Sequence, residues 1–276
     1  MKKSRFLGTI FGCLLMLSGS LVHAVLFTDD GSNISMLDSN TGAVLNSFST
    51  PSVPDTRFTG LAFSGSSLFR VNGIDAPLIA EFDAITGALL NTIPTPFDDP
   101  FVAEGFQLGY GVTSFGSTLF IGNSSTVFLL DPSDGSVFTQ WNPVLAPLGG
   151  MSFNPATGTL FIIDGTVDDP NAPPPDLLEY DPITGGFLGS VDIDPLVWPD
   201  LASLAFDQGS LFAASFNFGL IYEIDPSTGD LLNQFSGLTA IGGMAGGTLV
   251  PIPPALWLFG SGLLGLIGIA RRKKAA

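Results

Sequence analysis

Ile79-Ala80-Glu81-Phe82-Asp83-Ala84-Ile85-Thr86-Gly87-Ala88-Leu89-Leu90-Asn91-Thr92-Ile93 is a pair of short apolar runs joined by Asp-x-x-Thr-Gly. The joint recurs as Asp38-Ser39-Asn40-Thr41-Gly42, Asp131-Pro132-Ser133-Asp134-Gly135, Asp181-Pro182-Ile183-Thr184-Gly185 and Asp225-Pro226-Ser227-Thr228-Gly229. The five aspartates step by 45, 48, 50 and 44 residues. A repeat of that period is the signature of a modular array. Each joint reads as a tight hairpin. The Asp carboxylate accepts backbone N–H groups within the turn, Pro pre-sets φ where it occurs, and Gly supplies the position with φ > 0.

Two further strands precede each hairpin. Gly60 to Phe69, Gly111 to Phe120, Gly150 to Phe161 and Ala202 to Phe212 each carry small and β-branched residues, a turn, and then a Leu-Phe pair. Four short strands per repeat of about 45 residues make a propeller blade. The first repeat starts at Val25-Leu26-Phe27, the second strand of a blade. Ile241 to Leu249 supplies the missing first strand after the fifth repeat. The expected fold is therefore all-β, a five-bladed β-propeller of four-stranded blades over residues 25–250, its ring shut by pairing the two chain ends. The Leu-Phe pairs are expected to pack between blades.

Composition separates this body from its ends. The 276 residues carry 9 Lys+Arg and 25 Asp+Glu, a net charge of -16. Residues 25–250 hold every acid but only Arg57 and Arg70 as bases, so the body stands at 2 − 25 = −23. The one Cys, Cys13, and the one His, His23, precede it, and it contains no Lys. These absences exclude a Ser-His-Asp triad, a Cys nucleophile, His- or Cys-bound zinc, a Lys Schiff base and a P-loop from the body. Its charge makes nucleic acid a poor partner.

Residues 1–24 read as a signal peptide. Met1-Lys2-Lys3-Ser4-Arg5 is basic, Phe6 to Leu17 is apolar, and Val22-His23-Ala24 places cleavage after Ala24, the work of a signal peptidase. Residues 251–276, with Val250 before them, have three parts. Val250-Pro251-Ile252-Pro253-Pro254 cannot enter a helix. Ala255 to Ala270 is an uncharged run of 16 residues, a short transmembrane helix of roughly 25 Å. Arg271, Arg272, Lys273 and Lys274 form a basic tail held in the cytoplasm, so the body lies outside. This order resembles the PEP-CTERM sorting signals of exported Gram-negative proteins. The resemblance implies that Val250, Pro251, Ile252 and Pro253 are the motif read by an exosortase-type transpeptidase. It implies further that the body is released or displayed at the surface after the helix is removed. Ile252 stands where that family's namesake has glutamate, as in its Val-Pro-Leu-Pro variant.

The body resembles the broad group of YVTN and quinoprotein-like propellers, whose outer hairpins also read Asp-x-x-Thr-Gly. Quinone enzymes need basic and metal ligands that are absent here, so the resemblance carries fold and no activity. Candidate sites are acidic loops. Asp164 to Asp176, with Asp168, Asp169 and Asn171, offers oxygen donors that suit calcium, without a regular calcium-loop spacing. Asp29-Asp30-Gly31-Ser32-Asn33 and Asp98-Asp99 are similar. Trp198 stands among Asp192, Asp194 and Asp200, as in sugar sites. The leading expectation is a non-enzymatic surface or matrix propeller, a binding or structural module for polysaccharide or surface protein. It needs no cofactor. The alternatives are a hydrolase with paired carboxylates in the funnel and a calcium-stabilised binder.

Overall fold

The computed structural model describes residues 23–51, 59–72, 78–96, 111–122, 125–143, 148–164, 176–194, 201–215, 218–236 and 241–249. Twenty strands form five four-stranded antiparallel sheets. Blade I contains β1 (His23–Asp29), β2 (Asn33–Asp38), β3 (Val44–Ser49) and, innermost, β20 (Gly243–Leu249). Blade II is β4 (Thr59–Ser64), β5 (Ser67–Asn72), β6 (Leu78–Asp83) and β7 (Leu89–Pro94). Blade III is β8 (Gly111–Phe115), β9 (Thr118–Gly122), β10 (Val127–Leu130) and β11 (Val137–Trp141). Blade IV is β12 (Leu148–Asn154), β13 (Thr159–Asp164), β14 (Asp176–Tyr180) and β15 (Phe187–Asp192). Blade V is β16 (Leu201–Asp207), β17 (Ser210–Ser215), β18 (Leu220–Ile224) and β19 (Leu231–Phe235). The inner strands neighbour one another in the cycle β4, β8, β12, β16, β20 and back to β4. The five-bladed expectation and the placing of 241–249 in the first blade both hold.

The Leu-Phe pairs explain why the ring coheres. Adjacent residues of a strand point to opposite sheet faces. In each blade the second strand is buried on both faces, so its Leu packs toward the preceding blade and its Phe toward the following one. Leu68 and Phe69 fall in the clusters between blades I and II and between II and III, respectively. Leu119 and Phe120, Leu160 and Phe161, Leu211 and Phe212 repeat the division. Leu26 and Phe27 complete it for blade I. Each seam thus holds its own cluster of side chains, and burying a Leu or Phe side chain stabilises by roughly 1.5–3 kcal/mol.

The outer strands share a second device. Each begins with two apolar residues, and the ladder slips at the second, so Leu45, Leu90, Phe138, Leu188 and Leu232 sit in β-bulges. A bulge bends an edge strand and spoils it as a template for another chain. All five bulge residues are exposed.

Antiparallel order gives each sheet two unlike ends. The turn end carries the tight connections between first and second strands and the Asp hairpins between third and fourth. The loop end carries the remaining connections. The internal stretches outside the described residues connect strand ends of the loop end. Pairing of β1 with β20 runs from Asp29↔Gly243 to His23↔Leu249, so the chain enters and leaves the ring at the turn end of blade I. The strand includes His23 and Ala24, two residues before the expected mature start. Removing them deletes two of the seven pairs of that ladder. Residues 1–22 and 250–276, which hold the rest of the expected leader and the sorting signal, lie outside the described residues.

Candidate functional site

The inner strands enclose a central cavity of about 550 Å3 at the turn end. Its rim is Ser64-Gly65, Phe115-Gly116, Pro155-Ala156, Gln208-Gly209 and Gly247-Thr248. Phe115, half exposed, stacks on Phe153 with ring centroids 4.0 Å apart. Side chains stitch blades II, III and IV here. Ser114 Oγ donates to the Phe63 carbonyl at 2.6 Å, Ser64 Oγ to the Gly116 carbonyl at 3.2 Å, and Phe153 N–H to Thr113 Oγ1 at 3.2 Å.

One carboxylate, Asp207, is among the described residues lining this cavity. It is buried, and its Oδ2 has no hydrogen-bond partner. Burial raises its pKa to about 6, against opposing hydrogen bonds from the Ser39 hydroxyl and the Gln208 amide. Ser39 belongs to the β2–β3 hairpin, so Asp207 lies in the seam between blades V and I. Gln208, which follows it, is the non-glycine residue with positive φ among the described residues, at 48°.

The other seam of blade I holds a second buried acid. Arg70 Nε lies 3.7 Å from Asp29 Oδ2, and both side chains are almost wholly buried. Arg70 also donates to Thr50 Oγ1 and to the Pro51 carbonyl, which ties the connection between blades I and II. Its guanidinium carbon sits 5.8 Å from the centre of the Phe82 ring. Asp29 is pushed up to about 6 by burial, which outweighs the Arg70 charge and the Gly31 N–H. Burial likewise lowers the Arg70 pKa, opposed by Asp29 and Asp30.

The hairpin aspartates are used differently. Asp83 Oδ1 accepts from Thr86 N–H (2.7 Å), Thr86 Oγ1 (2.8 Å) and Ile85 N–H (3.1 Å). Asp38 and Asp181 repeat the set, while Asp131 and Asp225 take the N–H and hydroxyl of Ser133 and Ser227. These bonds lower the pKa of Asp83, Asp131, Asp181 and Asp225. Each hairpin also docks on the preceding blade. Trp141 Nε1 donates to the Pro182 carbonyl, Asn46 Nδ2 to the Ile85 carbonyl, and Asp194 N–H to the Gly229 carbonyl.

The acidic loops read as candidate sites divide accordingly. Asp29 to Asn33 is a turn whose carboxylates serve their own backbone: Asp29 Oδ1 accepts Gly31 N–H, and Asp30 Oδ1 accepts Ser32 and Asn33 N–H. Residues 165–175, Asp98-Asp99, Trp198 and Asp200 lie outside the described residues, as do the sorting motif Val250 to Pro253 and the tail Arg271 to Lys274. Ala24 lies buried in β1, opposite Thr248. Among the described residues there is no cluster of three or more His, Cys, Asp or Glu that would hold a metal. Nor is there a helix long and apolar enough to cross a membrane; the run 255–270 lies outside them. The structure brings no second carboxylate to Asp207 in the cavity among the described residues. Asp207 was missed in the sequence, and Asp29 was read there as a loop acid and not as a buried one. One signal was there: Arg70 is a lone base in the apolar strand Leu68-Phe69-Arg70-Val71 of an acidic body.

No protein-family model matches this chain, and no curated protein matches it. Solved structures do. A chain of a nidogen/laminin complex matches with TM-score 0.52 and 12% identity, over 81% of this chain and 98% of that one. The glutaminyl cyclase of Myxococcus xanthus matches with TM-score 0.47 and 17% identity, over 69% and 71%. BamB of Moraxella catarrhalis matches with TM-score 0.37 and 15% identity, over 80% and 63%. At such identity a likeness speaks to fold alone, and what this chain shares with the nidogen/laminin structure is its backbone architecture.

Proposed function

We propose that this chain is an exported propeller that acts outside the cytoplasm as a binding or structural module. Its leader ends at Ala24, and an exosortase-type transpeptidase reads Val250 to Pro253. The helix holds it at the membrane until then, and processing displays or releases the body. One structural observation carries this reading. The strands next to the two address segments, β1 and β20, are paired neighbours that shut the ring. Removing the leader and the tail leaves the β1–β20 ladder from Val25↔Gly247 to Asp29↔Gly243, so both processing steps are compatible with a closed body.

The test is the mass of the mature chain from an exporting host. A chain starting at Val25 and lacking residues 255–276 is expected at the surface or in the medium. In a host without the transpeptidase the same chain is expected to keep its tail and stay with the membrane. A mature chain that retains 255–276 in the native host overturns the sorting assignment.

A further inference from the structure

We propose that the central cavity at the turn end binds a small organic ammonium, an amine on an apolar body, and that Asp207 is its anchor. This deepens the binding-module reading, on which it rests, and is independent of how the chain is sorted. The site also lies apart from the acidic loops in which the sequence placed candidate sites. The first observation is the cavity itself. All five inner strands line it. Its volume of about 550 Å3 is in the range of small-molecule sites. Apolar residues dominate the lining, Leu61, Val112, Phe153, Leu204 and Met244 among them. At the rim, half-exposed Phe115 is held by its stacking on Phe153 and offers a flat apolar surface. The apolar body of a ligand gains burial in such a place.

The second observation is the carboxylate in that lining. Asp207 is 4% exposed, and its Oδ2 has no hydrogen-bond partner. A buried charge is costly unless it is paired. With a pKa of about 6, Asp207 is mostly ionised at neutral pH. The third observation is that the body has no cation to spare for it. Among the described residues the sole Lys or Arg is Arg70, which is spent on Asp29, Thr50 and Pro51 in the other seam of blade I. The lining hydroxyls of Ser64 and Ser114 donate to the Gly116 and Phe63 carbonyls, and so join blades instead of serving Asp207. An ammonium supplies the missing charge and donors only, which is what an unpaired carboxylate lacks. The body, at 2 − 25 = −23, draws cations toward it and repels anions.

The test uses the chain purified from an exporting host and calorimetric titration with two matched pairs of probes. These are 2-phenylethylamine against 2-phenylethanol, and tryptamine against its alcohol, tryptophol. Phenylacetate is the anionic control. Expected is that in at least one pair the amine binds about tenfold more tightly than the alcohol, with no binding of phenylacetate. Asp207→Asn should lower the amine to the level of the alcohol and leave the alcohol unchanged. Phe115→Ser should weaken amine and alcohol alike, by about threefold, and keep their ratio. That second variant places the ligand in the cavity even where Asp207→Asn fails to fold. Equal binding of amine and alcohol to the parent chain overturns Asp207 as the anchor. A preference for the amine that survives Asp207→Asn assigns it to the charge of the whole body and overturns the anchor too. Amine binding that Phe115→Ser does not touch overturns the cavity as the site. Binding of none of the four probes overturns the ligand class and leaves the sorting reading, which the mature mass tests, standing.

Discussion

The five hairpins and the two seams of blade I use the same residue type in opposite ways. In the hairpins, aspartate is half-buried and saturated by its own turn, and Asp83, Asp131, Asp181 and Asp225 are more acidic than usual. In the seams, Asp29 and Asp207 are buried and pushed up to about 6. The hairpins repeat because each blade must turn and dock on its neighbour. The seam acids do not repeat, and both flank the blade assembled from the two ends of the chain. The difference teaches that local bonding fixes the blades, while the closing blade depends on buried charge.

The Arg70–Asp29 seam should break hardest. Arg70→Leu removes the positive charge that opposes burial of Asp29 and frees Thr50 and Pro51. Stranding a buried charge costs about 3–5 kcal/mol. In a domain of this size that lowers the melting point by roughly 10 °C. The loss should be larger at pH 8 than at pH 5, where Asp29 is able to take up a proton. Adding Asp29→Asn to Arg70→Leu should recover part of it. Equal losses at both pH values would show that Arg70 acts through packing against Phe82 and not through charge.

The hairpin glycines should break next. A Cβ on Gly87 would lie 2.2 Å from Phe48 Cδ2 of the preceding blade, at φ +71°. Gly87→Ala therefore combines left-handed strain of about 1–2 kcal/mol with overpacking of about 1–3 kcal/mol. Gly65, at φ +63°, meets nothing within 4 Å. Gly65→Ala should cost only the strain. Thermal melts of the two variants separate docking from turn geometry. Equal costs would mean that the hairpins do not lean on the preceding blade.

This contrast also marks what was legible in the sequence. Asp, Thr and Gly at fixed offsets state a turn within five residues, so the blade count and the ring closure could be read directly. The role of Gly87 against Phe48 spans two blades and leaves no local pattern. The exposure of the bulge residues has a similar cause: two adjacent apolar residues such as Leu89-Leu90 do not state which way they face, and the slipped register turns both outward. Asp207 sits in an ordinary Phe-Asp-Gln-Gly turn sequence. Its burial depends on Ser39 and Gly246, which the ring brings from opposite ends of the chain.

The seam acids set a pH dependence that runs against that of the hairpins. For Asp207 the pKa rises from 3.8 to about 6 on folding. Between those values the folded chain holds a proton that the unfolded chain has released, so stability falls as pH rises through that window and levels off above it. Two pKa units correspond to about 3 kcal/mol. The hairpin aspartates shift downward, so their contribution is present above pH 4 and is lost below it. Stability should peak near pH 4–5, and Asp207→Asn should flatten the decline between pH 5 and pH 7. A profile unchanged in Asp207→Asn would assign the decline to Asp29 or to the repulsion of the whole acidic body.

The smallest effect belongs to a single hairpin acid. Asp83→Ala removes an acceptor from Thr86 N–H, Thr86 Oγ1 and Ile85 N–H. All three donors are exposed and water replaces the carboxylate, so the net cost is about 1 kcal/mol. The remaining turn bonds persist, because Gly87 N–H still donates to the Asp83 carbonyl and Asp83 N–H to the Ala88 carbonyl. The loss should therefore appear as faster amide exchange at Ile85 and Thr86, with the seams unchanged. Because the Asp181 turn repeats the same three bonds, Asp181→Ala should do the same at Ile183 and Thr184. Faster exchange that spread to Ile79 and Ile93 would mean that the carboxylate holds the blade itself, and the division between local hairpins and a charge-dependent closing blade would fail.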